Sequence, residues 1–166
     1  MNEYQMREAL ETDIDFIFNS ILDLSKKHHA NPSYYWESQN ESSSSIINGL
    51  KHEIRCAVLN KQHPKQQIES VIYIYFVNSQ PCSMCWIKGD EIYLFYTMAQ
   101  SRCQGVGTKF LKRIIGMLLV KRNEVFARVY IGKSLIFEQM LLKQGFYEDR
   151  NHNANDTKKY IIKKQQ

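Results

Sequence analysis

The chain has 166 residues, 22 Lys and Arg against 17 Asp and Glu, a formal charge of +5, and 43% hydrophobic residues. That length suits a single domain, residues 1–166, with a core that needs neither disulfide nor metal. No apolar run approaches the ~20 residues of a membrane-spanning helix, so no membrane partner is expected, and the modest basic excess favours anionic ligands without requiring nucleic acid.

The polar start, residues 1–11, lacks the basic-then-apolar character of a signal peptide, so a cytoplasmic protein with reduced thiols is expected. Residues 4–8 read as a short strand. Thr12 and Asp15 have capping-box spacing, and Ile14, Phe16, Ile17, Ile21, Leu22 and Leu24 recur helically up to Lys27. The adjacent His28 and His29 would point to different sides of a helix, which argues against a ligand pair. Periodicity fades from residue 28 to 45, through Asn31-Pro32-Ser33, the aromatic cluster Tyr34-Tyr35-Trp36 and a serine run. A short second helix then reaches to about His52.

Residues 54–59 and 70–77 are predicted as two strands of a hairpin, joined by a polar connection in which His63-Pro64 favours a turn. Residues 78–81 turn again. The C-x-x-C of Cys82 and Cys85 has no second pair at ligand spacing, so no metal is expected; Cys56 and Cys103 are isolated. Residues 91–97 form a third long strand rich in Tyr and Phe. From Thr108 a broad stripe of Phe110, Leu111, Ile114, Ile115, Leu118 and Leu119 predicts a helix packed on the sheet. Residues 124–130 read as a strand. Leu135, Ile136, Met140 and Leu142 suggest a helix ended by Gly145, and residues 157–162 close as a strand.

The segment Arg102-Cys103-Gln104-Gly105-Val106-Gly107-Thr108 joins the third strand to the long helix. Two glycines there let a ligand approach the backbone, and the helix start offers unpaired amides and a positive dipole end. That combination suits phosphate, although an ordinary strand-to-helix connection has the same look. A dinucleotide fingerprint would need a third glycine where Phe110 stands. A P-loop ending at Gly132-Lys133-Ser134 would need glycine where Ala127 stands.

What remains is R/Q-x-x-G-x-G/A, met by Arg102, Gly105 and Gly107, and this segment resembles the coenzyme A signature of the GCN5-related N-acetyltransferases. Tyr4 to Ala9 followed by Thr12-Asp13-Ile14-Asp15 looks like that family's opening strand and helix, and Lys143-Gln144-Gly145-Phe146 like the end of its last helix. The resemblance implies an α+β fold, a mixed twisted sheet of six to seven strands with helices on both faces, and acetyl-CoA as co-substrate. It implies that the strand ending at Thr97 bulges and splays from its neighbour. Thr97 and Ala99 would then bond the pantetheine, and the turn from Arg102 and Cys103 through Gln104, Gly105, Val106, Gly107 and Thr108 would hold the pyrophosphate. Ser134 stands where the family often has an asparagine at the start of its last helix. Tyr34, Tyr35 and Trp36 fall in the acceptor region, as a substrate wall or as the apolar underside of a loop.

Acetyl transfer to an amine needs a held thioester, a base for the ammonium proton and a proton for the thiolate. Glu91 lies fourteen residues before Gly105 and is followed by isoleucine, as is the catalytic glutamate of the histone-acetylating members. A solvated glutamate opening a strand is the plainer reading; burial beside Tyr93 or Tyr96 would suit a base. Leu141 replaces the tyrosine that often protonates the thiolate, which leaves water, Tyr130, Tyr147 or no enzyme group. The expectation is an N-acetyltransferase acting on a primary amine of a small molecule, peptide or protein. A non-catalytic acyl-CoA sensor and an RNA-associated enzyme acetylating charged transfer RNA stay open, the latter without any aromatic-basic RNA motif. Homodimerisation is left open.

Overall fold

The computed structural model describes residues 3–28, 43–132, 134–153 and 156–165. The chain begins with β1 (Tyr4–Glu8), which pairs antiparallel with β2. A 3-10 turn over Glu11–Asp13 leads into α1 (Ile14–His28). The expected Thr12–Asp15 capping box does not form, because the turn is capped two residues earlier, at Leu10. Asp13 instead accepts the N–H of Leu10 at 2.7 Å and a bond from Arg7 at 2.6 Å. That arginine pair and the amide outweigh burial and hold the Asp13 carboxyl below its usual range.

The second helix, α2 (Ser43–Arg55), runs into a π turn over Cys56–Asn60. The strand predicted for residues 54–59 is therefore helical. Ile54, Ala57 and Val58 are all buried, and the i, i+3, i+4 spacing carries on from half-buried Leu50. The turn that follows is built on His63, whose Nδ1 accepts the N–H groups of Lys65 and Gln66, both at 3.2 Å.

β2 (Ser70–Val77) and β3 (Gln80–Lys88) form the hairpin instead, closed by Asn78 and Ser79 with φ of 50° and 62°. Two positive φ values in succession give a connection whose twist matches the strands. Pro81, read as the end of a turn, and the C-x-x-C after it lie inside β3; the proline sits where the register shifts between Tyr75 and Phe76, a place a strand tolerates it. Cys82 and Cys85 are both buried there. Burial pushes the Cys85 thiol far above its normal range, which keeps it protonated and inert.

β4 (Glu91–Thr97) pairs antiparallel with β3, and a 3-10 turn over Ala99–Ser101 leads to α3 (Val106–Lys121). β5 (Glu124–Tyr130) returns parallel to β4. α4 (Leu135–Lys143) ends at Gly145, φ 91°, with Phe146 N bonded to Leu141 O and Gly145 N to Leu142 O, the Schellman pattern. The sequence places this helix correctly, but of the four apolar residues that mark it only Met140 faces the core. Leu135, Ile136 and Leu142 are exposed, whereas Leu141 is buried and Phe137 and Met140 pack against the core. β6 (Tyr147–Glu148) and β7 (Thr157–Lys163) complete a seven-stranded sheet of order β1-β2-β3-β4-β5-β7-β6.

The core has two layers, one on each face of the sheet. Val106, Phe110, Leu111, Ile114 and Leu118 of α3 pack with Leu141 of α4 on one face. Ile17 and Ile21 of α1 pack with Ile54, Trp86 and Tyr96 on the other. Among the described residues, no helix is long and apolar enough to cross a membrane.

Candidate functional site

The parallel pairing of β4 with β5 is short. Glu91 faces Phe126 and Ile92 faces Ala127, and among the described residues the β4–β5 ladder ends there. The strands splay apart at this point, in the middle of the sheet.

A bulge decides what lines the opening. The β3–β4 register slips between Trp86 and Ile87, so Ile87 faces Ile92 while Trp86 faces Leu94. Met98 N donates to Cys82 O at 2.9 Å. Counting back by twos, Tyr96 and Leu94 also direct their backbone groups to β3, and Phe95 and Thr97 direct theirs to the opening. Phe126 N donates to Asp90 O at 3.0 Å, which puts Asp90 and Ile92 in the opposite phase. Tyr93 is thus the extra residue of the bulge. Without it, Leu94 and Tyr96 would present their amides to the opening.

At the top of the opening, Arg102 Nε donates to Thr97 O at 2.9 Å, so the arginine side chain fastens the strand end. Ala99 is exposed, its carbonyl accepting Arg102 N at 3.2 Å. Cys103 is exposed with φ 58°, and Gln104 donates to Gln100 O at 3.0 Å. Gly105 has φ 72° and open space around it, so its role is conformational. Gly107 is different: a Cβ there would lie 2.8 Å from Thr97 Oγ1 and 3.4 Å from Met140 Cε. Its missing side chain is filled by protein, letting α3 close on β4 and α4.

The side chain of Val106 is buried, while Thr108 is exposed. Lys109 N to Gly105 O, 3.0 Å, is the first bond of α3, so the amides of Val106, Gly107 and Thr108 have no partner within the helix. Unpaired amides and the positive dipole end face the same way, a seat for an anion. Ser134 precedes α4, and its carbonyl accepts Glu138 N at 3.0 Å. Leu141, at the expected acid position, is fully buried. Tyr147 lies on edge strand β6, with β7 and β5 between it and the opening. Tyr34, Tyr35, Trp36 and His29 lie outside the described residues.

On the opposite face, Glu91 opens β4 and its Oε2 accepts Arg128 Nη1 at 2.7 Å. Tyr96 donates its hydroxyl to Asp23 at 2.7 Å; burial and that carboxylate push the phenol up to about 12. Lys88, almost fully buried, lies 3.5 Å from Glu53 Oε2 and 3.6 Å from the Tyr93 ring centre. Burial holds the Lys88 ammonium below its ordinary range, against the pull of Glu53. Among the described residues, no group of three or more His, Cys, Asp or Glu could hold a metal ion.

Sequence reasoning passed over Phe95 and Arg128. Phe95 had a signal, because it stands two residues before Thr97 and shares its strand phase. Arg128 had none, since the β4–β5 register that brings it to Glu91 is a long-range fact.

Neither a family model nor a curated protein matches the sequence. Solved structures do match its fold. PaiA N-acetyltransferase from Thermoplasma acidophilum, solved with coenzyme A, has a TM-score of 0.68 at 14% identity, covering 97% of this chain and 99% of that one. Spermidine N-acetyltransferase from Vibrio cholerae, solved with coenzyme A and spermine, has a TM-score of 0.68 at 10% identity, over 97% and 95%. RimL, a ribosomal alpha-N-protein acetyltransferase solved with coenzyme A, has 0.67 at 10% identity, over 96% and 93%. The chain has the fold of the GCN5-related N-acetyltransferases, which the three sequence segments resembled.

Proposed function

We propose that this protein is an acetyl-CoA-dependent N-acetyltransferase that passes an acetyl group to a primary amine within a ternary complex, without a covalent enzyme intermediate. The observation that carries the reading is the opening beside β4, lined by the backbone of Phe95 and the amide of Thr97, whose carbonyl is held by Arg102, and continuous with the unpaired amides after Gly105. A pantetheine arm is an amide chain that can pair with a strand edge, and a pyrophosphate suits a helix start. The matched structures solved with coenzyme A support the same reading.

In this reading the amides from Gln104 to Thr108 hold the pyrophosphate, and the β4 edge polarises the thioester carbonyl. Ser134 borders the pantetheine from α4. Glu91 takes the ammonium proton through water, since it lies ~13 Å along the strand from Phe95. The amine nitrogen bonds the acetyl carbon, the C–S bond breaks with its electron pair going to sulfur, the nitrogen gives its second proton to solvent, and the thiolate takes a proton from solvent, because Leu141 has none to give.

Calorimetry with acetyl-CoA and release of coenzyme A thiol in the presence of amines test this. Gly105→Asp is expected to abolish binding, by placing a carboxylate at the anion seat and a side chain at a left-handed position. Glu91→Gln is expected to lower kcat ~10²-fold or more with acetyl-CoA affinity retained. The buried Leu141 and the Arg128 contact on Glu91 favour a second reading, a non-catalytic acyl-CoA sensor. Binding of acetyl-CoA with no thiol release for any amine would select it.

A further inference from the structure

The ion pair at the β4–β5 junction stands between solvent and the glutamate. Arg128 is 48% exposed and Glu91 16%, so the guanidinium lies on the outer side of the carboxylate. The register partner of Glu91 on β5 is Phe126. Its ring has the Arg128 guanidinium at 5.0 Å and the Lys159 ammonium at 4.8 Å. Lys159 is opposite Arg128 in the β5–β7 register, and it reaches Asp149 at 3.6 Å. An acceptor approaching Glu91 over this part of the sheet meets the exposed Arg128 guanidinium first, which repels a polyamine and attracts an anion, while Lys159 behind it is already paired with Asp149.

The Arg128–Glu91 pair is also easily exchanged. It is half exposed, hence weak and screened. The bond to Glu91 uses one of the five donors of the guanidinium, whereas a free carboxylate can take two in parallel. A ligand carboxylate therefore offers Arg128 a better partner than Glu91 does.

We propose that the acceptor is an amine that also carries a carboxylate, of the amino-acid class, and that Arg128 binds this carboxylate. This inference rests on the acetyltransferase reading with Glu91 as base. When Arg128 turns to the acceptor, Glu91 loses its partner and its carboxylate becomes available for the ammonium proton. The neutral amine then bonds the acetyl carbon as the C–S electron pair leaves with sulfur. Binding of the correct acceptor thus uncovers the base.

Binding to the protein–coenzyme A complex tests the inference without needing turnover. Alanine, phenylalanine, glutamate and lysine are titrated as free amino acids and as carboxamides, with spermidine as an amine lacking carboxylate. At least one free amino acid is expected to bind roughly 10- to 100-fold more tightly than its amide, the usual loss of a charge-assisted bond. Arg128→Gln should remove that difference and Arg128→Lys keep part of it. Equal binding of acids and amides, binding of spermidine alone, no binding by any acid, or discrimination that survives Arg128→Gln would each overturn it. Thiol release from amides or spermidine as fast as from acids would overturn the carboxylate inference while leaving the acetyltransferase reading intact. A chain that does not bind acetyl-CoA loses both.

Discussion

The two faces of the sheet are built on different chemistry. Under α3 and α4 a row of rings crosses five elements: Tyr4 to Tyr75 at 6.0 Å, Tyr75 to Phe110 at 5.1 Å, Phe110 to Phe95 at 5.5 Å, and Phe95 to Phe137 at 5.5 Å. Offset rings at these distances add specific geometry to the burial itself. Under α1 and α2 the equivalent layer carries polar groups in pairs: Trp86 Nε1 on Ser70 Oγ at 2.8 Å, Tyr96 on Asp23, and Lys88 with Glu53 and His63. The apolar face fixes the long helix and the glycine turn against β4. The polar face keeps ionisable groups in place beside Glu91, and each of its pairs is costly to leave half made.

The largest effect should come from breaking the polar side. Glu53→Ala would leave the buried Lys88 ammonium with only the weaker pull of Glu91 as counter-charge, at a cost of about 3 kcal/mol in urea denaturation. Lys88 would adapt by losing its proton more readily, since burial pushes its pKa down and Glu53, more than Glu91, opposes that push. The double variant Glu53→Met, Lys88→Met should recover most of that stability. If the single variant cost as little as an ordinary surface change, the claim that this face depends on paired charges would be wrong.

How much of this contrast was legible depended on whether a segment's signal was local. Residues 4–8, 70–77, 91–97 and 124–130 were read as strands and are strands, because their apolar and aromatic runs have short, obvious ends. Residues 54–59 misled because a helix that continues into a π turn shows the same mixed apolar run as a buried strand. β3 was missed because Pro81 and two cysteines outweighed the strand signal of Met84, Trp86 and Ile87. The glycine turn was legible as a turn. That Gly107 serves packing against Thr97, and that a bulge at Tyr93 sets the phase of the open edge, depends on contacts between elements and could not be read from neighbours in sequence.

On the apolar side, Leu141→Tyr is the sharper test of the comparison. The family-like tyrosine would enter a fully buried position, and overpacking there costs about 2 kcal/mol. No gain in kcat is expected, because the surrounding core would displace the hydroxyl. A stable, faster variant would show that this face can carry catalytic chemistry. Gly107→Ala is next. A glycine in a helix usually costs ~1 kcal/mol relative to alanine, so the change would ordinarily stabilise. Here the new Cβ meets Thr97 Oγ1, which is itself held by Ser83 Oγ at 2.8 Å. A net loss of about 1 kcal/mol is expected from these opposing terms. Thr97→Ala in the same chain should cancel it, giving a coupling that a double-mutant cycle reads directly.

The smallest effect is a pH dependence of the polar side. His63 Nδ1 accepts two backbone N–H groups, so its neutral form carries the proton on Nε2, which faces Glu53 Oε2 at 3.7 Å. Protonation must use Nδ1 and would break both bonds of the turn. Burial first, and then the Lys88 charge, with Lys65 adding to it, hold the imidazole below its ordinary pKa of 6.5, against Glu53. With the folded pKa lowered, the unfolded chain binds the proton first as pH falls. Stability is therefore full above pH 6.5 and declines below it, until the folded imidazole also titrates. The loss between pH 6.5 and 5.5 is expected to stay under about 1 kcal/mol. His63→Asn keeps an acceptor for the Lys65 and Gln66 amides and has nothing to titrate. Comparing its urea midpoints with those of the wild type across this window should show a flatter acid limb, and identical slopes would assign the pH dependence to another group.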